Sequence, residues 1–353
     1  MRKVHQAKDK LGKLTSLLRG SSTLLIVMQD NPDPDAIAAS AALKELAKRS
    51  VGVTCSVAYG GTIGRAENRE LAHYLGFTFH PFRQIDPGQF DLIALVDTQP
   101  GTGNNPLSAE VLPDIVIDHH PIRRATRRVP FTDVRSNYGA TSTILWEYLS
   151  EAQIVPDLRL ATALLYGIRS DTQDLGRESG KADIEAMEAL YPLTNKRMLS
   201  QIQRGRVPSA YYQMLATALA NTTIYGHCAI SDLRDVENPD MIGEVADLLL
   251  RHEKVNWTLC YGVHAGKILL SLRTQDTQHD AGEVMRRIVN RIGTGGGHAS
   301  MAGGQISLRP DADREADRAR LERLIRDRLF RALRVTRRRG TQLVKLEDKR
   351  RKG

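Results

Sequence analysis

Three short apolar runs, each followed directly by a polar cluster, constrain the fold more than any other feature of the sequence. They occupy residues 24–28, 92–96 and 115–117. Runs of this length without polar alternation are typical of strands that are buried on both faces of a parallel sheet. Segments with helical spacing lie between or after them, for example at 36–47 and 141–149. The alternation predicts an α/β domain whose ligands bind beyond the carboxyl ends of the strands.

The α/β rhythm is lost after residue 190. Residues 191–221 carry prolines and mixed charge, and they predict a helical connector. A second, smaller α/β domain with a mixed sheet is expected at 222–333, and a basic tail at 334–353. The predicted elements of the second domain are a strand, a helix and a hairpin, at 223–230, 241–251 and 257–274.

Composition narrows the class of protein. The net charge is +9, and from residue 331 onward ten Lys or Arg face only two acidic residues, so the rest of the chain is nearly neutral. The tail is expected to bind nucleic acid non-specifically or to be a solvated terminus, whereas the body gives no indication of a long basic groove. No apolar segment is long enough to cross a bilayer, and three widely spaced cysteines do not predict a disulfide framework. We expect a cytoplasmic protein without a membrane partner.

Seven acidic or histidine side chains are candidate metal ligands, because most of them follow a predicted strand directly. Carboxylates that converge at one sheet edge repel one another unless cations neutralise them. Oxygen ligands with imidazoles favour Mn²⁺ or Mg²⁺, with Zn²⁺, Co²⁺ and Fe²⁺ as alternatives. Taken singly, the pair Asp33 and Asp35 could be part of a capped turn, an aspartate that ends a strand could be the N-cap of the next helix, and an isolated Asp-His-His is a weak motif. The candidates are Asp33, Asp35, Asp97, Asp118, His119, His120 and Asp171.

The order of these motifs along the chain resembles the DHH phosphoesterase superfamily in the branch that carries a DHHA1 domain. The matching strings are NPDPDAIAAS, LIALVDT, VIDHH, GIRSDT, SLRT and GTGGGHASMAGGQI. In length and domain plan the chain is similar to oligoribonuclease and pAp phosphatase proteins of the NrnA type. The resemblance implies a catalytic, metal-binding DHH domain at 1–190, a substrate-binding DHHA1 domain at 222–333, and an active-site cleft between them.

The resemblance also implies a role for each ligand. Asp33 and Asp97 would hold one Mn²⁺, and Asp97 would bridge to a second ion. Asp35, His119 and Asp171 would complete that second site, with Mg²⁺ or Co²⁺ as alternative ions. The triplet Asp118-His119-His120 would be catalytic, with His120 facing the substrate phosphate and Asp118 orienting the histidines.

One position departs from the family pattern. The family has a histidine four residues before the first aspartate, and this sequence has Gln29 there. An amide oxygen is a poorer ligand than an imidazole nitrogen, so the first metal site is expected to be weakened. The outcomes left open are a functional variant with a looser first metal, a site completed by water or substrate, and a binding protein without catalysis.

Substrate-binding residues are expected in the second domain. By strand alternation Arg273 points away from the apolar residues of its strand, so it is either exposed to solvent or available to bind a phosphate. The run Gly295, Gly296, Gly297 and His298 is either a flexible turn or, as the resemblance implies, a loop whose backbone N–H groups bind the substrate.

The predicted function is hydrolysis of short oligoribonucleotides, and of pAp, by metal-activated water. An alternative within enzymes is a phosphodiesterase for cyclic dinucleotides or the linear dinucleotides pApA and pGpG. From another class, the chain could be a catalytically weakened regulatory protein that binds nucleotides or RNA. The expected partners are short RNA or a small nucleotide, and a homodimer is an open alternative.

Overall fold

The computed structural model describes residues 2–176, 179–309, 314–336 and 339–344. The chain divides into two compact units, unit 1 (Met1–Arg206) and unit 2 (Val207–Gly353). This boundary falls within the predicted connector at 191–221. Of the tail at 334–353, residues 334–336 and 339–344 are described and include a short strand of unit 2, whereas the other residues lie outside the described ranges, so the predicted binding of the tail to nucleic acid stays a prediction. No helix within the described ranges combines the length and apolar character that spanning a bilayer requires.

Unit 1 is an α/β domain built on a parallel sheet of six strands, as the apolar runs predict. Its strands are β1 (Thr23–Asp30), β2 (Thr54–Gly60), β3 (Phe79–Pro81), β4 (Leu92–Val96), β5 (Ile115–Asp118) and β6 (Phe131–Val134). Its helices are α1 (Arg2–Leu18), α2 (Pro34–Val51), α3 (Ala66–Leu75), α4 (Thr141–Glu151), α5 (Leu158–Asp171), α6 (Lys181–Leu190) and α7 (Lys196–Gln203).

The strand order of unit 1 is β3-β2-β1-β4-β5-β6. The chain leaves β1 toward β2 and β3 on one side, then crosses back to β4 on the other, so β1 and β4 flank the point where the order reverses. Side chains that alternate along β1 pack into different cores, with Leu24 and Ile26 on one face of the sheet and Leu25 and Val27 on the other. Burial on both faces explains why these strands are continuous apolar runs.

Unit 2 contains a mixed sheet of seven strands, in the order β11-β12-β10-β9-β8-β7-β13. Among the strands that the described residues of this unit form, only β8 and β9 pair in parallel. The strands are β7 (Thr223–Tyr225), β8 (Cys228–Asp235), β9 (Trp257–His264), β10 (Lys267–Thr274), β11 (Thr294–His298), β12 (Met301–Ser307) and β13 (Thr341–Gln342). The helices are α8 (Ser209–Ala220), α9 (Asp240–Leu249), α10 (Ala281–Val289) and α11 (Arg314–Ala332).

Two local predictions in unit 2 were wrong. The single strand expected at 223–230 is a hairpin of β7 and β8, because Gly226 adopts φ +63° and reverses the chain. The glycine run expected as a loop is the edge strand β11, paired with β12. A Cβ on Gly295 would approach Met285 Cγ of α10 to 2.9 Å, so this glycine lets the helix pack closely on the sheet. The predicted hairpin of β9 and β10 is confirmed.

Candidate active site

The predicted ligands of unit 1 converge because β1, β4 and β5 are adjacent and parallel, which places their carboxyl ends at one edge of the sheet. Gln29 lies at the end of β1, Asp97 directly follows β4, and Asp118 is the last residue of β5. Helix α2 starts beyond β1 and brings Asp35 to the same edge, and α5 ends there on Asp171. Ligands of open α/β sheets bind where the strand order reverses, and the cluster lies at that point.

Asp97 has an unusual backbone conformation and a buried carboxylate. Its backbone adopts φ +59°, a left-handed conformation that non-glycine residues rarely adopt. Its carboxylate is buried, and Oδ1 accepts a hydrogen bond from Thr141 Oγ1 at 2.9 Å. The other oxygen, Oδ2, is buried and has no hydrogen-bond partner among the described residues. A buried carboxylate oxygen without a donor is costly, and a cation would satisfy it.

His119 is oriented as a ligand would be. Its Nδ1 lies 3.3 Å from the Tyr138 carbonyl, which can only accept, so Nδ1 donates and Nε2 is the nitrogen left to bind a cation. Nε2 lies 3.0 Å from Asp171 Oδ2 and 3.5 Å from Asp97 Oδ1. Burial lowers the pKa of this imidazole, but interaction with the Asp171 carboxylate and the other aspartates outweighs burial and raises the pKa to about 10.

Asp118 orients His120. One carboxylate oxygen, Oδ1, accepts from the backbone N–H of His120 at 3.1 Å and lies 2.8 Å from its Nδ1. The other, Oδ2, accepts from Gln99 Nε2 at 2.6 Å. Burial opposes ionisation of Asp118, but the contacts with His120, His119 and Gln99 prevail and lower its pKa. Only 1% of the Asp118 side chain is exposed, compared with 35% for His120, so His120 is the member of this pair that solvent can reach.

Asp35 is held by the start of α4. Its two carboxylate oxygens accept the backbone N–H groups of Thr141 at 2.7 Å and Ser142 at 2.8 Å. Ala140, which precedes the helix, has no side chain that could cap those groups, so the carboxylate of another element does so. Burial and the Asp171 charge nevertheless raise the pKa of Asp35 to about 7.

Asp33 and Gln29 bind each other. Gln29 Nε2 donates to Asp33 Oδ2 at 3.0 Å, while Asp33 Oδ1 accepts from the backbone N–H of Ala36 and caps α2. Asp33 is therefore the N-cap of α2, which was one of the alternatives that the sequence allowed. It also lies beside the other acidic residues of the site. The amide of Gln29 points its donor at the aspartate, which is the opposite polarity to that of a metal ligand.

The buried carboxylates of this site repel one another, so a bound cation would stabilise their charged forms. Burial, followed by repulsion from neighbouring aspartates, raises the pKa values of Asp33 and Asp97 above the usual range. Two sets of side chains have ligand atoms within 4.8 Å of one another: Asp97, Asp118, His119 and His120, and Asp35, His119 and Asp171. Carboxylate oxygens and imidazole nitrogens without thiolates suit Mn²⁺, Mg²⁺ or a similar divalent ion, so the donor set fits such a metal.

The candidates in unit 2 lie along strands. Arg273 of β10 donates from Nε to Asp247 Oδ1 and from Nη1 to Ser271 Oγ, both at 2.7 Å. Gly295 and Gly296 lie in the middle of β11, opposite Gly304 and Gly303 of β12. A Cβ on Gly296 would meet no atom within 4 Å, so packing does not explain this glycine. The backbone of His298 pairs with Met301, and its side chain lies outside the described residues.

Three residues of the site were not identified from the sequence. Thr141 and Ser142 hold Asp35 and Asp97, and their only sequence signal is a helix start without a capping side chain before it. Gln99 is completely buried and contacts Asp118. It lies two residues after Asp97, and a polar residue so close to a predicted ligand was the available signal.

Comparison with known proteins agrees with this geometry. The DHH family N-terminal domain matches residues 23–168, and the DHHA1 domain matches residues 225–327. The uncharacterized protein MJ1633 of Methanocaldococcus jannaschii is 37% identical over 87% of this chain. A probable manganese-dependent inorganic pyrophosphatase of Lactobacillus gasseri is 30% identical over 47% of the chain. The chain spans 63% and 53% of the lengths of these two relatives.

A solved structure supports the fold. An exopolyphosphatase-related protein from Bacteroides fragilis superposes with a TM-score of 0.66 at 14% identity, and the match covers 92% of this chain and 98% of that protein. The two domain matches together cover most of the chain, in the order that the motifs predict. The chain therefore contains a DHH family N-terminal domain followed by a DHHA1 domain.

Proposed function

We propose that this protein is a metal-dependent phosphoesterase that hydrolyses phosphodiester bonds of short oligoribonucleotides and also acts on pAp. One observation carries the proposal: buried carboxylates converge at the edge of the sheet, and one of them, Asp97, has an oxygen without a donor. A structural role does not require so much uncompensated negative charge in one place. Beside it, His120 is partly exposed, which supports its assignment to the substrate.

The residues that would hold the ions are Asp35, Asp97, His119 and Asp171, with Asp33 at a first site that Gln29 weakens. When bound, divalent ions lower the pKa of a water molecule and neutralise charge on the phosphoryl group. The relative from Lactobacillus gasseri, by its name, depends on manganese, which supports Mn²⁺ as the ion to test first. We expect two ions, because the ligand atoms form two neighbouring sets and Asp97, as a carboxylate with two oxygens, could bind one ion with each of them.

The protein's own groups divide the remaining work. Thr141 donates to Asp97, and the start of α4 fixes Asp35, so the ligands are preorganised. Asp118 binds Nδ1 of His120, and we assign Nε2 of that ring to the substrate phosphate. In unit 2, Arg273 and the strand around Gly296 are the groups that we assign to substrate binding, since a guanidinium and backbone N–H groups both recognise phosphate.

A second candidate function rests on the hydrogen bond between Gln29 and Asp33. That bond engages an oxygen that the first metal would need, so the chain could bind a nucleotide without cleaving it. Turnover distinguishes the two. A nucleotide-binding regulator has no metal-dependent hydrolysis to lose, whereas an enzyme loses it when its ligands are removed.

The test is a panel of substrates with Mn²⁺, Mg²⁺ or Co²⁺. It contains RNA of two to five nucleotides, pApA, pGpG, c-di-AMP, pAp and inorganic pyrophosphate. We expect hydrolysis of short RNA and pAp by the natural protein and none by the double variant Asp118→Ala, His119→Ala. Preference for c-di-AMP or pGpG would replace the substrate assignment, and absence of hydrolysis throughout the panel would overturn the enzyme proposal.

Asp157→Asn is the matched control. Asp157 caps the first turn of α5 with its side chain at 2.8 Å from the Leu160 N–H, at the opposite end of the helix from Asp171. Asparagine caps a helix as well as aspartate does, so the change removes one charge without disturbing the fold. Its activity should equal that of the natural protein.

A further inference from the structure

The segment that follows the DHH triplet concentrates positive charge on the surface of unit 1. Residues 121–130 contain Arg123, Arg124, Arg127 and Arg128, and all four are exposed. They form no ion pair with any described residue, whereas many other exposed arginines, such as Arg49, do. The near-neutral total charge of the body conceals this local concentration. Four uncompensated guanidinium groups within six residues favour binding of a polyanion.

A concave surface next to this segment adds two more cations and an apolar floor. The cavity has a volume of about 610 Å³ and is lined by Lys10 and Lys13 of α1, by Arg127, and by apolar residues that include Ile122 and Phe131. Lys10 Nζ donates to the Thr132 carbonyl and lies 5.6 Å from the centre of the Phe131 ring. Lys13 is exposed. Phe131 and Val129 are buried, so the cations are the groups that this surface offers to a ligand, and a positively charged groove of this kind follows the backbone of single-stranded nucleic acid.

The arginine segment is fixed relative to the active site by one amide. Gln99 Oε1 accepts from the backbone N–H of Arg123 and from Thr126 Oγ1, both at 2.8 Å. The Nε2 group of the same side chain donates to Asp118 Oδ2 at 2.6 Å. Since Gln99 is completely buried, the start of the segment and the residue that orients His120 are held together within one rigid network.

We propose that this basic surface, formed by Lys10, Lys13, Arg123, Arg124, Arg127 and Arg128, binds the sugar–phosphate backbone of a single-stranded oligonucleotide whose end occupies the active site. The proposal rests on the proposed function and extends it. It assigns to the protein substrates several nucleotides long, since a dinucleotide held by His120 and the metal ligands would not need a surface of this size. Arginine forks bind phosphate bidentately, which suits a backbone without sequence specificity.

An anionic membrane is the competing partner for a basic surface, and the structure favours nucleic acid. Membrane binding requires a broad apolar face beside the charges. Here Ile122, with 47% of its surface exposed, is the only large apolar side chain among residues 121–130 that is strongly exposed. Phe131 and Val129, which also line the concave surface, are buried, so this part of the protein presents no broad apolar face to a bilayer.

The test measures binding without turnover. The variant Lys13→Gln, Arg123→Gln, Arg127→Gln is compared with the natural chain for binding of fluorescein-labelled RNA of two, four, eight and twelve nucleotides in EDTA. We expect the affinity of the natural chain to rise with length up to about eight nucleotides, and the variant to bind the 8-mer about tenfold or more weakly. The slope of log K against log[salt] should become shallower by about 2, because roughly 0.7 counterion is released per phosphate contact.

A matched variant, Lys48→Gln, Arg83→Gln, Arg197→Gln, removes three exposed positive charges elsewhere in unit 1, so it has the same net charge as the first variant and keeps the same basic tail. It should bind like the natural chain. Equal losses in both variants, or no loss in either, would overturn the proposal. So would weaker sedimentation of the first variant with phosphatidylserine vesicles alongside unchanged RNA binding.

Turnover of pAp separates this proposal from the proposed function. Neither triple variant changes a residue of the metal cluster, so both should hydrolyse pAp like the natural chain. If no form of the protein hydrolyses pAp or short RNA while the first variant still loses RNA binding, the enzyme assignment fails and the basic surface stands. If pAp turnover is normal and RNA binding is independent of the basic surface, the reverse holds.

Discussion

Unit 1 and unit 2 both contain a central sheet flanked by helices, yet they place polar groups in opposite ways. In the parallel sheet of unit 1 every carboxyl end points to the same edge, and acidic side chains accumulate there, buried and without enough compensating charge. In the mixed sheet of unit 2, strands run both ways, and its candidate residues lie along them. Arg273 is compensated by Asp247. The difference teaches that buried carboxylates without compensating charge favour a metal site, as in unit 1, whereas a paired cation such as Arg273 is held ready without such a charge imbalance.

The largest effect on turnover is expected from a substitution at the centre of the carboxylate cluster of unit 1. Asp97→Asn removes the carboxylate that the proposed ions would share and leaves an amide whose N–H groups repel a cation. Turnover of short RNA should fall about a thousandfold or more, because a bridging ligand is lost together with the charge that retains both ions. Steady-state kinetics with Mn²⁺ measure this. Residual activity above one tenth would show that Asp97 is not a shared ligand.

The pH dependence of stability is a second test of the difference between the two units. Among the described residues, only unit 1 has a cluster of buried carboxylates. Burial raises the pKa of Asp35 from 3.8 to about 7. A raised folded-state pKa contributes stability that is complete below about pH 4 and is lost as the pH rises through about 7. His119, raised from 6.5 to about 10, loses its contribution between those values. Asp118 has a lowered pKa and opposes this trend only at acidic pH.

The metal-free protein should therefore lose on the order of a few kcal/mol of unfolding free energy between pH 5 and pH 8. Mn²⁺ should reverse the trend, since protons compete with the ion for the same oxygens. Calorimetric unfolding in EDTA and in Mn²⁺ measures both. Asp35→Asn should flatten the EDTA profile. A profile that rises with pH in EDTA would contradict the buried, mutually repelling cluster.

The parallel sheet and the position of the candidate ligands at its carboxyl-end edge could be predicted from the sequence, because burial on both faces leaves a plain apolar signature; that these residues bind metal stays a prediction. The hairpin of β9 and β10 could be predicted as well. The strand β11 could not be predicted, because glycine has no propensity that distinguishes a strand from a turn. Gly295 occurs in this strand because Met285 packs closely against it. Thr141, Ser142 and Gln99 were missed because their roles depend on which helix start meets which carboxylate, a long-range contact that no local pattern encodes.

A substitution at Gln29 tests whether this residue weakens metal binding at the first site of unit 1. Gln29→His replaces a donor that binds Asp33 with an imidazole nitrogen that can bind a cation. We expect affinity for Mn²⁺ at the weaker site to rise roughly 10- to 100-fold in isothermal titration calorimetry. Gln84→His, an exposed change in the same unit, is the control. Unchanged stoichiometry and affinity would mean that Asp33 belongs to the cap of α2 alone.

The smallest effect tests unit 2. Arg273→Gln removes a guanidinium whose side chain is 13% exposed, while its partner Asp247 is 45% exposed and can be solvated, so the fold should lose little stability. If Arg273 binds substrate phosphate, KM for short RNA should rise about tenfold with kcat nearly constant, because the interaction is the same in the ground and transition states.

Two further variants make the Arg273 result interpretable. Arg273→Lys keeps the charge and loses the bidentate fork, so it should restore only part of the affinity. Arg234→Gln removes an arginine of the same unit that is 63% exposed and lies 3.3 Å from Asp232, and it should leave KM unchanged. A fall in kcat with constant KM for Arg273→Gln would place Arg273 in the chemistry rather than in binding. The division of labour between a charged, unbalanced unit 1 and a balanced unit 2 would then be wrong.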